Sequence, residues 1–250
     1  MISLSSIPIP HYDTPLVADI IELEKLKAGY LTGTVLPAVF FEIKDVFILL
    51  ESLGSARIEG NRTTIDELVE SAIRGSRDST EILREIANIE DAMAWIESVF
   101  RENRDAKIDI PFLKELHRLT VKNLRPPSDG GEGDDKPGKL RSGNVWIRGT
   151  QFTPPPGIKI PSLIEEYVRF INEARDSRFD LLRIAIAHHR FLYIHPYRNG
   201  NGRVARLVTY AMLVRAGYRV HDGRILNPTA VFCSDRAMYM QALADADKGG

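Results

Sequence analysis

Covalent and metal staples are nearly missing from this sequence. One cysteine among 250 residues, Cys233, excludes a disulfide framework and a cysteine-rich zinc site. Charge of one sign is missing as well. Lys and Arg total 33 and Asp and Glu total 34, a net charge of -1, which argues against a chain that holds nucleic acid by bulk positive charge. The opening residues, Met1 to Pro8, contain no Lys or Arg and no long apolar run, unlike a secretory signal. No stretch nears the roughly 18 uninterrupted apolar residues of a membrane-spanning helix. A cytoplasmic protein without membrane contact is the expectation. With 44% hydrophobic and 27% charged residues, such a chain builds an ordinary globular core.

What is present is helical periodicity almost throughout. Residues 1–15 are Pro-rich and expected to form a surface arm. Helices are expected from Leu16 to Lys27 with a stop near Gly29, and from Pro37 to Gly54. A third follows Asn61, where Thr64-Ile65-Asp66-Glu67 is a capping-box sequence. A fourth follows Ser79, with Ile82, Ile86, Ile89, Met93, Ile96 and Phe100 as its buried stripe. Asp109 and Pro111 open a fifth. Ser128 to Asp135 has no core-forming residue and reads as a mobile acidic connector; it lacks the ligand order of a calcium loop. Leu140 to Phe152, with Val145, Trp146 and Ile147, suggests a short β-hairpin closed by Pro154-Pro155-Pro156. Helices resume from Pro161 to Glu173, Phe179 to Ile194 and Asn201 to Ala216. Phe179 to Ile194 is apolar nearly all round, as in the middle of a domain. Asn227-Pro228 opens a last helix. The expected fold is therefore all-α with one short hairpin. Residues 1–110 form an N-terminal helical region and residues 111–250 the core.

One segment carries chemistry: His195-Pro196-Tyr197-Arg198-Asn199-Gly200-Asn201-Gly202-Arg203-Val204-Ala205-Arg206. Gly200 and Gly202 let the backbone turn tightly. A helix starts there, so unpaired amides and the positive end of its dipole attract an anion. Arg203 and Arg206 are neighbours on one helix face, and their guanidinium forks match phosphate oxygens. His195, with an ordinary pKa of about 6.5, is a natural proton acceptor. Together these groups suggest phosphoryl or nucleotidyl transfer. The plain alternative is a simple turn, a solvated arginine face and a helix-capping histidine. His188, His189 and His195 lack the spacing of a metal-ligand pair.

The segment resembles the signature of the Fic (filamentation induced by cAMP) family, His-Pro-Phe-x-Asp/Glu-Gly-Asn-Gly-Arg-x-x-Arg. It departs twice: Tyr197 stands for Phe, and Asn199 for the acidic residue. The resemblance covers roughly residues 35–245. It implies a helical fold and transfer of AMP from ATP to a Ser, Thr or Tyr hydroxyl of a protein. His195 would deprotonate that hydroxyl, and Gly200, Asn201 and Gly202 would form the anion hole. Arg203 would hold the terminal phosphate and Arg206 the middle one. Pro196 would shape the loop, and Tyr197 would anchor it in the core. The family's acidic residue binds magnesium. A neutral Asn199 implies weak metal-assisted transfer, a ligand from elsewhere, or another nucleotide donor. The contrasting expectation is a catalytically weak nucleotide-binding or interaction module.

Upstream, Ser55-Ala56-Arg57-Ile58-Glu59-Gly60 is similar to the family's inhibitory motif, Ser/Thr-x-x-x-Glu-Gly/Asn. The resemblance implies that Ser55, Glu59 and Gly60 regulate the site within the same chain, with Glu59 paired to Arg203. The alternative for Glu59 is a solvated carboxylate at a helix end. The family's flap corresponds to residues 140–152, with Pro137-Gly138 and Arg141 before it. It would receive a protein substrate as an added strand; the alternative is a hairpin packing Trp146 on the core. Self-modification and pairing into a homodimer through helices are further expectations. For this chemistry, His195 must face Arg203 and Arg206 across a space that accommodates ATP.

Overall fold

Polar side chains that bind backbone amides mark where several helices start. The computed structural model describes residues 10–28, 37–77, 79–147, 150, 152–173, 177–218 and 228–248. Thr64 accepts from the Glu67 amide while Glu67 accepts from the Thr64 amide, the capping box expected there. Thr80 and Asp109 cap the next two helices through the amides of Leu83 and Phe112. In chain order the helices are α1 (Pro15–Ala28), α2 (Pro37–Glu59), α3 (Ile65–Ile73), α4 (Glu81–Glu102), α5 (Ile110–Thr120), α6 (Ile160–Asn172), α7 (Asp180–Ile194), α8 (Asn201–Arg215), α9 (Pro228–Ser234) and α10 (Arg236–Lys248). The expectation of a mainly helical protein is met. None of the helices, among the described residues, is long and apolar enough to cross a membrane.

The described residues do not support the expected hairpin. No strand occurs among the described residues, and those from Leu140 to Ile147 are irregular chain; residues 148, 149 and 151 lie outside the described residues. Trp146 is 81% exposed rather than packed on the core. The reason lies in Arg141. Its buried guanidinium donates to the carbonyls of Gly143, Pro155, Ile194 and His195. The base of the segment is thereby tied to the end of α7 and to Pro155 through a side chain, whereas a ladder needs two facing runs of backbone.

Other boundaries shift for tertiary reasons. α2 continues past Gly54 to Glu59, so the Ser55–Glu59 motif is helical. α9 packs against α2 beside Gly54, where a Cβ would meet Cys233 Cβ at 3.5 Å. The expected last helix is broken at Asp235 into α9 and α10. Its expected cap, Asn227, lies outside the described residues, as do Gly29 and residues 1–9 of the arm. The α4 stripe is buried from Ile86 to Phe100, but Ile82 is exposed.

The central helix is α8, not α7. Every α8 residue from Arg203 to Val214 is buried, and the helix packs on α2, α4, α5 and α7. α7 leaves Ala185 exposed and Leu181, Leu182 and Ile186 half-buried. Between them Phe191, fully buried, packs edge-on against Tyr167 and tilts toward Tyr197. Truncating it should leave a cavity under the signature loop. Phe191→Ala should lower unfolding free energy by about 3–5 kcal/mol, measured by urea denaturation.

Candidate active site

α7 ends where the chemistry begins. His195 is its C-cap, in the left-handed conformation at φ 50 and ψ 61, a strained choice for a residue with a Cβ. Two contacts hold it there. Its amide donates to the Phe191 carbonyl, and its carbonyl accepts from Arg141 Nε at 2.6 Å. The ring Nδ1 lies 3.3 Å from the Leu192 carbonyl. A carbonyl only accepts, so Nδ1 carries the hydrogen and Nε2 keeps a free lone pair. Burial pushes the His195 pKa down to about 4, against the opposing Leu192 contact. The imidazole is therefore neutral at physiological pH, the form that accepts a proton.

Packing fixes the loop after it. Tyr197 is fully buried and stacks on His117, with centroids 3.8 Å apart and planes 3° from parallel. His117 accepts the Gly138 amide at Nδ1 and donates from Nε2 to the Asn199 carbonyl. Burial holds its pKa down at about 4, so it stays neutral there. The Asn201 side chain bonds both the amide and the carbonyl of Tyr197, each at 2.9 Å. Asn201 thus locks the loop with its side chain, leaving its backbone at the start of α8. Gly200, at φ 75, precedes α8, and no side chain caps that end. The amides there stay available to an anion.

The two arginines are buried, Arg203 at 1% side-chain exposure and Arg206 at 2%. They meet different neighbours because positions three apart on a helix are rotated by about 60°. Arg206 turns to the end of α2. Its Nε donates to Ser55 Oγ at 2.8 Å, and its Nη2 donates to the Ser55 carbonyl at 3.0 Å and to Glu59 Oε1 at 2.6 Å. Arg203 turns to α4 and the loop at 129–135. Its Nη1 is 3.0 Å from Glu85 Oε1, and its Nη2 donates to the Glu132 carbonyl at 2.5 Å. The expected pairing of Glu59 with Arg203 is thereby corrected: the partner is Arg206. Arg203 Nε and Nη1, although buried, have no hydrogen-bond partner among the described residues; the Glu85 contact is an ion pair without hydrogen-bond alignment.

Glu59 lies at the centre of these groups. Its carboxylate sits so close to the first turn of α8 that a Cβ on Gly202 would fall 2.1 Å from Glu59 Oε1. Burial would raise its pKa, but Arg206 first, then Arg203 and His195, outweigh that and hold it below the usual carboxylate range. Its side chain is 31% exposed, so it is not a freely solvated helix-end group. Gly60 follows it at φ 110. Glu59 thus lies against Gly202 and Arg206, and Glu132 lies against Arg203. A cavity of about 390 Å³ lies elsewhere, between α2, α3 and α4, lined by Leu49, Leu68 and Ile86.

The acidic connector is not loose. Asn199 donates from its amide to Asp134 Oδ2 at 3.3 Å, and from Nδ2 to the Gly133 carbonyl at 3.1 Å and toward Glu132 Oε2 at 3.5 Å. Gly133 is needed where it stands, since a Cβ would strike the Leu124 carbonyl at 2.3 Å. Asn199 therefore serves as a donor to the loop. Magnesium takes oxygen ligands, and no group of three or more His, Cys, Asp or Glu among the described residues is placed to hold a metal. The carboxylates of Asp134 and Glu132 are the charged oxygens beside Asn199, and they would hold magnesium together with substrate phosphates. His188 and His189 are apart from His195 in role, bonded to Tyr239 and Asp247.

Residues 107–213 match the model of the Fic/DOC family. That segment is a Fic/DOC domain. It spans α5 to α8 and so contains His195, the anion hole and both arginines, whereas Ser55 and Glu59 lie before it. Proteins named protein adenylyltransferase Fic from Drosophila sechellia and Drosophila melanogaster are each 29% identical over 199 residues, covering 78% of this chain and 36% of theirs. The chain spans about a third of the length of these curated relatives. The fold is similar to that of a Fic family protein from Desulfovibrio desulfuricans, with a TM-score of 0.72 at 23% identity, covering 97% of this chain and 70% of that one. It is also similar to a Fic domain-containing signaling protein from Bacteroides thetaiotaomicron, with a TM-score of 0.68 at 20% identity, covering 90% and 80%.

Sequence reasoning gave no role at the site to His117, Glu85, Glu132 or Asp134. None has a local pattern. Arg141 had one, as part of the Pro-Gly-x-x-Arg run, but its four carbonyl contacts appear only in the fold. Tyr197 also carries a liability, because its buried hydroxyl has no partner among the described residues. Tyr197→Phe should therefore raise unfolding free energy by about 1 kcal/mol. A loss of stability in urea denaturation would mean that the hydroxyl is bonded after all.

Proposed function

We propose that the chain is a protein adenylyltransferase that moves AMP from ATP to a protein hydroxyl, and that Glu59 holds it inactive. One observation carries this. A carboxylate occupies the anion-binding start of α8 and neutralises Arg206, beside a neutral imidazole with a free Nε2 and an Arg203 with unpartnered buried donors. Such a site is built for more than one negative group. The name carried by the Drosophila relatives, protein adenylyltransferase, favours AMP as the group transferred.

In this mechanism Glu59 leaves and the nucleotide phosphates take its place. Arg206 and Arg203 bind phosphoryl oxygens through their guanidinium forks. The phosphate that Arg206 holds is the one Glu59 obstructs. The amides of Gly200 to Gly202 receive phosphate oxygens at the positive end of the α8 dipole. The Ser, Thr or Tyr oxygen attacks the α-phosphorus and passes its proton to His195 Nε2. The bond from the α-phosphorus to the bridging oxygen breaks, and pyrophosphate leaves with that electron pair. Magnesium, when bound, would supply charge neutralisation for the phosphates; the step of this chain's residues is to orient them and take the proton.

Glu59→Gly should raise incorporation of label from ATP labelled in its adenosine moiety into the protein or a target at least about tenfold, since a repelling charge leaves the phosphate position. Mass spectrometry of that variant after incubation with ATP and magnesium should find one added AMP on a Ser, Thr or Tyr. Labelling at the wild-type level, with ATP bound in both, rejects inhibition by Glu59. His195→Ala in the Glu59→Gly protein should abolish transfer and leave ATP binding, measured by calorimetry, nearly intact. The neutral imidazole is the working form and its pKa sits at about 4. Transfer should thus stay level as pH falls through the ordinary histidine value of about 6.5 and decline only toward 4. A half-maximum near the ordinary value would contradict the buried, neutral His195.

A further inference from the structure

The two carboxylates beside Asn199 stand differently. The Asp134 side chain is 1% exposed and its oxygens already accept hydrogen bonds. Oδ1 takes the Lys136 amide at 2.8 Å and Oδ2 takes the Asn199 amide at 3.3 Å, with His117 Nε2 3.7 Å from Oδ2. Glu132, by contrast, is half-exposed. Its Oε2 stands between two groups of the signature segment, 3.5 Å from Asn199 Nδ2 and 3.8 Å from Arg203 Nη2.

The backbone keeps Glu132 there. The Gly131 amide donates to the Pro126 carbonyl at 3.1 Å, and the Gly133 amide donates to the Arg125 carbonyl at 2.7 Å. Neither flanking position has room for a side chain. A Cβ on Gly131 would fall 2.2 Å from the Arg125 carbonyl oxygen, and one on Gly133 would fall 2.3 Å from that of Leu124. The carbonyl of Glu132 itself accepts from Arg203 Nη2. Asn199 meets this loop with the wrong end for a cation. A carbonyl only accepts, so the Asn199 amide turns Nδ2 to the Gly133 carbonyl and to Glu132. It offers hydrogens there, not an oxygen. The signature's acidic position thus lacks both a charge and a turned oxygen, while a carboxylate from elsewhere stands beside it.

A second observation points to a ligand at this place. Arg203 is 1% exposed, and its Nε and Nη1 have no hydrogen-bond partner among the described residues. Buried donors of that kind suit an anion. Magnesium is usually held by one or two carboxylates together with substrate phosphates. We infer that Glu132 supplies the magnesium-binding carboxylate that the signature lacks at Asn199, as a direct ligand beside the nucleotide phosphates, with Asp134 adding charge from behind it. The inference rests on the nucleotide site proposed above. The charge is displaced by 67 residues along the chain and returned by the fold to within 3.5 Å of Asn199. The plain alternative is that Glu132 is only a counterion of Arg203. A counterion tunes nucleotide binding with no metal present, whereas a ligand tunes the affinity for the metal.

The test needs no turnover. The parent is the Glu59→Gly protein bound to α,β-methylene ATP, in which carbon replaces the bridging oxygen and transfer cannot occur. Manganese in place of magnesium is titrated into this complex with protein in excess, and free manganese is read by electron paramagnetic resonance. Glu132→Gln should weaken manganese binding about tenfold or more. Its thermal midpoint should stay near that of the parent, because the side chain is half-exposed. Its affinity for the analogue in EDTA, by calorimetry, should stay within about threefold, as expected for a solvated ion pair. Asn199→Asp added to Glu132→Gln should recover most of the manganese affinity. Equal manganese affinity in Glu132→Gln and the parent, or no recovery with Asn199→Asp, overturns the assignment. A change in EDTA as large as the change for manganese makes Glu132 a counterion of Arg203 and overturns it too. If the parent does not bind the analogue with or without manganese, the proposed nucleotide site fails and the assignment falls with it. The other adverse outcomes remove Glu132 alone and leave that site standing.

Discussion

Two guanidinium groups inside the central helix of a bundle impose a demand that the rest of the molecule answers. A buried positive charge without a counterion is costly, and removing one member of a buried pair leaves that cost uncompensated. Arg206 is met by Glu59, and Arg203 by Glu85 and the Glu132 carbonyl. Phosphate oxygens have the same charge sign and suit the same donors, so they can replace the carboxylates without leaving the guanidinium groups bare. In the function proposed above, departure of Glu59 and entry of an anion would be thermodynamically linked events. Each is easier when the other occurs, as linkage requires of any ligand that binds one of two states.

The surroundings of the arginines serve the same constraint. Glu59 is only partly covered and ends a helix, a position from which it can leave. Arg203 and Arg206 sit mid-core on α8 and cannot. His195 is kept in an uncommon backbone conformation by Arg141, which gathers four carbonyls from three stretches of chain. His117 and Asn201 hold the loop between His195 and the arginines from opposite sides. The site is consequently stiff where charge must be placed.

Local chemistry was legible in the sequence. Thr64 with Glu67, and Asp109 before Phe112, announce helix starts because capping involves atoms only a few residues apart. The α4 stripe from Ile86 to Phe100 and the signature from His195 to Arg206 are equally local. The Val145-Trp146-Ile147 hairpin failed for the opposite reason. Three apolar residues resemble a strand, but distant carbonyls of Ile194 and His195 claimed Arg141 and pulled the segment's base away. The acidic residues near Asp134 looked like a free connector, since nothing nearby in the chain reveals that His117 and Asn199 will bind them. Glu59 was recognisable as a group aimed at an arginine, yet the wrong arginine was chosen. The helix offset between positions 203 and 206 decides that, together with where α2 ends.

By itself, then, the sequence determined that this is a helical protein with a glycine-flanked helix start, a histidine before it and a carboxylate motif upstream. Those properties follow from bonds and periodicities spanning a few residues. Tertiary structure alone decided which charge faces which: Glu59 on Arg206 and Glu85 on Arg203. Such pairings depend on how α2 and α4 pack around α8, and side chains more than a hundred residues apart meet only once that packing has formed.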